Sequence, residues 1–434
     1  MMFFKDSDLA DTSIGKIPRH WQVARIEEIA LSKKGAIKIG PFGSQIKKSE
    51  MVHMGVKVYG QENVIENDFG TGNRYISQEK YETLKNFEIF PSDVLITMMG
   101  SIGYAKLFPE RAKKGIMDSH LLRIQVKKEL VMPTFLLQLV GSSVVRRQVR
   151  SLSRGAIMSG LNSETVRSIR IPLPPLDEQK EIVGVLDVVD LAVAKTGEVI
   201  AKTERLKKGL MQELLTKGIG QKEHKQTTIG TIPRKWQIAR LEEVCKEVTI
   251  GVVNPATPYY TTAEEGVPYF RSQNVRENSL EPTNIYVKRE FNEKHHRSIL
   301  KENDVLTIQT GFIGTSCVVP KIYEGSNCHS LLIARTDPQA LNSQFLCHLL
   351  NSEAGKSAIM RHNSGWGRAH LLLQDFRKIE IPLPPLREQQ EIADIISTVY
   401  QKVKVEKTEK AKLERIKQGL MDLLLTGKVR VKVG

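Results

Sequence analysis

The sequence predicts a fold made twice: two related globular domains, each followed by a long helix, with the two helices pairing antiparallel. Three observations carry this. Residues 14–29 (IGKIPRHWQVARIEEI) and 229–244 (IGTIPRKWQIARLEEV) are identical at 11 of 16 positions. Residues 171–182 (IPLPPLDEQKEI) and 381–392 (IPLPPLREQQEI) agree at 10 of 12. A third block, TERLKKGLMQELLT at 203–216, matches LERIKQGLMDLLLT at 413–426. Agreement in three separate blocks marks one structural unit used twice, and 434 residues leave room for two or three domains of ordinary size.

Taken in order, the chain reads as a lead-in segment (1–29), a variable stretch (30–176), a long helix with its linker (177–225), a second lead-in (226–244), a second variable stretch (245–386) and a second long helix with a tail (387–434). The variable stretches keep only an echo of each other: Asp93-Val94-Leu95 matches Asp304-Val305-Leu306, Gly100 matches Gly311, and Phe135-Leu136 matches Phe345-Leu346. One frame with different surface residues suggests two modules that read two different things. In the IPLPPL block, Pro174 and Pro175 hold the chain extended, so helix starts near Asp177. Acidic Asp177, Glu178 and Glu181 then sit where the helix dipole favours them. Ile182, Leu186, Val189 and Val193 form an apolar seam that Ile392, Ile396, Val399 and Val403 repeat, and Leu413, Ile416, Leu420 and Leu424 extend it. Each tail of about 40 residues spans roughly 60 Å as helix. A narrow seam that long needs a partner, and its duplicate supplies one.

The composition, 40% hydrophobic and 26% charged, is that of a globular protein. No apolar run approaches the ~18 residues of a membrane span, and the Met1-Met2-Phe3-Phe4-Lys5 start lacks a signal-peptide core, so a cytoplasmic location is expected. Cys245, Cys317, Cys328 and Cys347 include no CxxC pair, which favours reduced thiols over disulfides or zinc. The net charge of +15 sits unevenly: residues 30–176 carry 22 basic and 12 acidic side chains, residues 245–386 carry 15 and 14. A basic globular domain is a nucleic-acid candidate, and the first domain is expected to have the steeper salt dependence.

Within the first variable stretch, Gly40-Pro41-Phe42-Gly43-Ser44-Gln45-Ile46-Lys47-Lys48 brings glycines for close backbone approach, polar donors and paired lysines. The Gly-rich loops 151–160 and 361–370 occupy matching places and differ almost completely in side chains. Candidate DNA contacts are Lys38, Ser44, Gln45, Lys47, Lys48, Arg74, Arg154 and Ser159 in the first half. In the second half they are Gln273, Asn274, Arg276, Arg361, Asn363, Trp366 and Arg368. A search for catalytic residues finds none. Gly355-Lys356-Ser357 lacks the first glycine of a phosphate loop, because Leu350 stands there, and Asn254-Pro255 is followed by Ala256-Thr257. His295-His296 and Cys328-His329 have no further ligands at metal spacing. The expectation is a chain that breaks no bonds and needs no metal or cofactor of its own. A helical scaffold without DNA and a nuclease with an unfamiliar site are the alternatives.

The doubled IGxIPxxW motif, GPFGSQ, the DVL…G…IG stretch and IPLPPLxEQ leading into a long helix resemble the specificity subunit of type I restriction-modification systems, over nearly the whole chain. The resemblance implies an α+β fold: two similar mixed α/β target recognition domains separated by two long antiparallel conserved helices, with pseudo-twofold internal symmetry. It implies that each recognition domain reads one half of a bipartite, asymmetric sequence in double-stranded DNA. The helices would set the gap and dock two methyltransferase (modification) subunits, with restriction/translocase subunits in the full complex. S-adenosylmethionine, ATP and Mg would belong to those partners. Glu178, Gln179, Glu388 and Gln389 open both helices identically and are the expected docking contacts.

Overall fold

The structure is a computed structural model that describes residues 3–5, 8–42, 45–98, 103–152, 162–361 and 370–432. The chain forms two compact units, one of residues 1–196 with 409–434, the other of residues 197–408. Each contains a lead-in segment, a variable stretch and one end of each long helix. The fold is α+β, and the two units follow one plan.

Each lead-in is a β-hairpin, Leu9–Thr12 with Gly15–Pro18 in the first unit and His224–Thr227 with Gly230–Pro233 in the second. Gly15 (φ 108°) and Gly230 (φ 110°) hold turn conformations that side chains resist, which explains the glycine of IGxIP. The next strand pairs with the IPL segment: Gln22–Arg25 runs antiparallel to Arg170–Leu173, and Gln237–Arg240 to Glu380–Leu383. The two most strongly repeated sequence blocks are therefore each other's hydrogen-bond partners. The Glu28 and Glu243 carboxylates accept the backbone N–H of Arg25 and Arg240, at 2.7 and 2.8 Å, and so start the short helix that follows each strand.

The variable stretches each build two sheets. In the first unit one sheet orders its strands as Ala105–Leu107, Val94–Thr97, Leu121–Ile124 and Ile37–Ile39, all antiparallel. The other orders them as Met51–Val52, Tyr75–Ile76, Val56–Tyr59, Gly115–Met117 and Glu88–Ile89, with one parallel pairing, Val56–Tyr59 beside Gly115–Met117. The second unit repeats both. Cys245–Ile250, Leu331–Thr336, Val305–Ile308 and Ser316–Val318 form one sheet. Tyr260–Thr261, Tyr286–Lys288, Gly266–Phe270 and Asn327–Cys328 form the other, again with one parallel pair. Strands of two to six residues give little period-2 alternation to read.

The long helices are α1, Leu176–Lys217, and α2, Leu386–Leu424. They begin directly after the proline pairs; the first ends at Gly218 (φ 71°), and the second is followed by a turn that closes at Gly427 (φ 68°), both left-handed. In the first unit the start of α1 meets the end of α2: Ile182 and Leu186 share a core with Met421, Leu424, Trp21, Phe135 and Ile171. In the second unit the end of α1 meets the start of α2, where Met211 and Leu215 join Ile392, Ile396, Trp236, Phe345 and Phe376. Within each unit the two helices therefore run antiparallel. The seam departs from expectation at one residue. Ile416 is 52% exposed, and Lys417 takes the seam position, bonding Asp190 on α1 at 2.6 Å. The cysteines are free thiols, with Cys317, Cys328 and Cys347 buried.

Candidate nucleic-acid interface

The start of each long helix is a bracket that ties the unit together. Glu178 is 2% exposed; its carboxylate accepts the Trp21 indole N–H at 3.0 Å and the Arg430 guanidinium at 2.7 Å. Glu388 accepts Trp236 Nε1 at 3.0 Å, the Ile219 backbone N–H at 3.0 Å and Gln221 Nε2 at 3.2 Å. Gln179 is fully buried and makes three bonds, from Met132 N–H (2.9 Å), to Leu130 O (2.9 Å) and to Pro174 O (2.8 Å). Gln389 repeats them with Asn342 N–H (2.8 Å), Ala340 O (3.0 Å) and Pro384 O (2.9 Å). These are the four side chains expected to dock partner subunits, and within the chain they also hold each unit together. Their polar atoms bond inside each unit, joining lead-in, variable domain and helix.

The first-half candidates fall in three settings. Gln45, Lys47 and Lys48 are exposed. Lys38 lies with its ammonium 4.1 Å over the Phe87 ring, and burial, with Arg123 and Lys34 nearby, lowers its pKa. Arg74 is committed to the carboxylates of Asp118 (2.8 Å) and Glu62. Gly40 serves packing rather than a ligand, since a Cβ there would stand 1.9 Å from the Asp118 carbonyl oxygen. In the second half Gln273, Arg276 and Arg361 are exposed. Asn274 is buried and fully engaged, accepting from Arg271 N–H at 3.0 Å and donating to the Pro282 carbonyl at 2.9 Å. Its two bonds close a loop and so shape the surface. Ser44, Arg154, Ser159, Asn363, Trp366 and Arg368 lie outside the described residues.

The equivalences between modules reach far beyond what the sequence shows. Asn63 makes the bonds of Asn274, from Gly60 N–H (3.0 Å) and to Asp68 O (2.9 Å). Asp118 N–H bonds Tyr59 O at 2.8 Å, as His329 N–H bonds Phe270 O at 2.8 Å. Asp93 accepts from Gln125 at 3.0 Å where Asp304 accepts from Arg335 at 3.3 Å. Burial raises both carboxyls, Asp304 to about 6, against the Lys301 N–H and the Arg335 guanidinium that lower it. This frame places Arg271, Gln273, Gln309, Thr310 and His329 around one depression of 270 Å³ in the second module. Of these only Gln273 was picked out from the sequence. Gln309 lies between Asp304-Val305-Leu306 and Gly311, whose echo of Asp93-Val94-Leu95 and Gly100 sets it opposite Met98, whereas Arg271 has no such block beside it and only the paired asparagines Asn63 and Asn274 could have aligned it.

Among the described residues no cluster of three His, Cys, Asp or Glu side chains is placed to hold a metal, and no helix is long and apolar enough to cross a membrane. The family model for the type I restriction modification DNA specificity domain matches the chain twice, at residues 18–205 and 233–415. The chain is similar to the type I restriction enzyme MjaVIII specificity subunit of Methanocaldococcus jannaschii, 26% identical over all of this chain and 98% of that one. It is 22% identical to the type I restriction enzyme EcoKI specificity subunit of Escherichia coli K12, over 89% of this chain and 84% of that one. The crystal structure of a type I restriction-modification system S subunit from M. genitalium shares the fold, with a TM-score of 0.56 at 14% identity over 94% of this chain and 96% of that one. A second solved chain, from a type I R-M system, gives 0.54 at 20% identity over 95% of this chain and 99% of its own. With most of its length covered by two copies of that domain, the chain belongs to the type I restriction modification DNA specificity domain family.

Proposed function

We propose that this chain is the sequence-specific DNA-recognition subunit of a type I restriction-modification complex. The observation that carries the reading is the doubled family match falling on two units built to one plan. The recognition domains are residues 30–176 and 245–386, each reading one half of a split target, with the excess positive charge giving the first the stronger pull on phosphates. The chain itself selects sequence; modification, translocation and cleavage belong to partner subunits that bring S-adenosylmethionine, ATP and Mg. Its place of work is the cytoplasm, where its DNA is.

Two equivalent modification subunits fit a repeated feature of the helices. The first unit leaves Leu176 (36%) and Ile416 (52%) exposed, and the second leaves the corresponding Leu386 (40%) and Leu206 (55%) exposed. Exposed apolar side chains at matching places of each copy are what two identical partners require, and apolar side chains at the centre of an interface carry much of its energy. The paired helices act as the ruler, so binding both half-sites at once depends on their separation.

The test is coexpression with the cognate methyltransferase subunit, followed by methylome sequencing. Adenine methylation at one split motif, lost on deleting either variable domain, is the expected result. A stable complex that methylates no motif would leave only a scaffold.

A further inference from the structure

The two modules share a frame and differ sharply at one place in it. In the first module the residues at that place are Glu62 and Asp118, both bonded to Arg74, with Met98 beneath. In the second module the matching residues are Gln273, His329 and Gln309, joined by Arg271 where the first has Gly60. Gln309 is 6% exposed, borders the depression and makes no side-chain hydrogen bond among the described residues. Arg271 has no ion pair among them, and its buried Nε has no hydrogen-bond partner. Two residues along the chain from Thr310, which lines the depression, Phe312 stands 82% exposed at the tip of a tight turn between Gly311 (φ 84°) and Gly314 (φ 83°). The buried Arg271 Nε left without a partner is costly in a free protein, and the rest of its guanidinium and the Gln309 amide line the depression. An exposed phenylalanine close by in the chain adds an apolar surface suited to a base.

We infer that this depression is the base-reading subsite of the second module, that Arg271 reads a guanine there, and that Gln309 and Phe312 complete the contact. The inference rests on the proposed DNA-recognition function and deepens it. Guanine presents two acceptors, N7 and O6, in the major groove, and arginine is the side chain whose paired donors match them. Gln309 supplies a donor and an acceptor in the same depression for the neighbouring base edge. The first module, with carboxylates in place of Gln273 and His329, presents acceptors to the DNA instead. Bases that offer an exocyclic amino group suit it. One frame thus carries two opposite hydrogen-bond patterns, which is what reading an asymmetric target requires.

The experiment selects bound sequences from a pool of random-sequence duplexes, using the complex of the full chain with its methyltransferase subunits. Wild type, Arg271→Ala and Gln309→Met are compared; the last installs the residue that the first module has at the matching place. Wild type is expected to enrich a split motif. Arg271→Ala should lose a guanine preference at one position of one half-site, by about 5- to 150-fold, while the other half-site and the gap stay unchanged. Gln309→Met should relax the same half-site alone, and both variants should keep the wild-type melting transition. If both halves weaken together, or if neither changes, the inference is overturned. Absence of any split motif with the wild-type complex would instead overturn the functional reading, and the inference with it.

Discussion

Residue by residue, the two copies put different chemistry on equivalent positions, and His348 shows a consequence. It is fully buried, with Nε2 2.9 Å from Ser397 Oγ and its ring stacked 5.4 Å from Tyr400. Its counterpart Gln138 donates to Asp190 at 3.0 Å and does not titrate. Burial depresses the imidazole to about 4. A histidine held neutral in the folded state takes up its proton only on unfolding, so the second unit loses stability as pH falls from about 6.5 towards 4. The loss reaches about 3 kcal/mol at most, at about 1.4 kcal/mol per pH unit. His348→Gln, copying the other module, should flatten that part of the profile. Urea midpoints of wild type and variant at pH 7 and pH 4.5 decide it; parallel acid losses would show that His348 is not the group responsible. At this scale the sequence marked Trp21, Glu178 and Gln179 as repeated residues, yet their use was hidden. Trp21 and Glu178 are 157 residues apart and meet only in the fold.

Among the elements, those with strong local rules were legible and those held by tertiary pairing were not. Proline pairs mark where the long helices start, and the observed starts at Leu176 and Leu386 follow them directly. The sheets left almost no trace, because their strands are short and buried on both faces; Val94–Thr97 and Val305–Ile308 are buried throughout. The misplaced Ile416 has the same origin. A seam read from apolar residues alone skips Lys417, which belongs there because Asp190 on the other helix receives it. A charged pair on an apolar seam sets register more than stability. With the two side chains 27% and 38% exposed, solvent screening limits the pair to about 1 kcal/mol. A double-mutant cycle with Lys417→Met and Asp190→Asn should return a coupling of that size that shrinks as salt is raised. A coupling of zero at low salt would mean that the contact does not fix the register.

For the molecule as a whole, the order of segments distinguishes the copies less than their framework unites them. In the first unit the strand Phe3–Lys5 pairs with Val429–Val431, so the two ends of the chain lie side by side. In the second unit the same place is crossed by continuous chain, from the end of α1 at Lys217 through Gly218 to the strand His224–Thr227. Arg430 reaches Glu178 from the terminal strand, and Gln221 reaches Glu388 from that continuous link. The bracket is thus complete whether or not the backbone is broken beside it. Its stability must come from the buried tryptophan, carboxylate and core rather than from covalent continuity. That argument predicts the behaviour of a rearranged chain. Joining residue 432 to residue 3 through a short flexible linker and opening the exposed bond between Lys222 and Glu223 moves the break from one unit to the other. Closing ends that pair as antiparallel neighbours, about 5 Å apart, adds little loop entropy. The permuted protein should melt within about 4 °C of the parent, the shift expected for about 1 kcal/mol in units of this size. It should also select the same split DNA motif. A permutant that fails to fold, while the ring-closed chain without the new break folds normally, would show that the link 218–223 does more than connect.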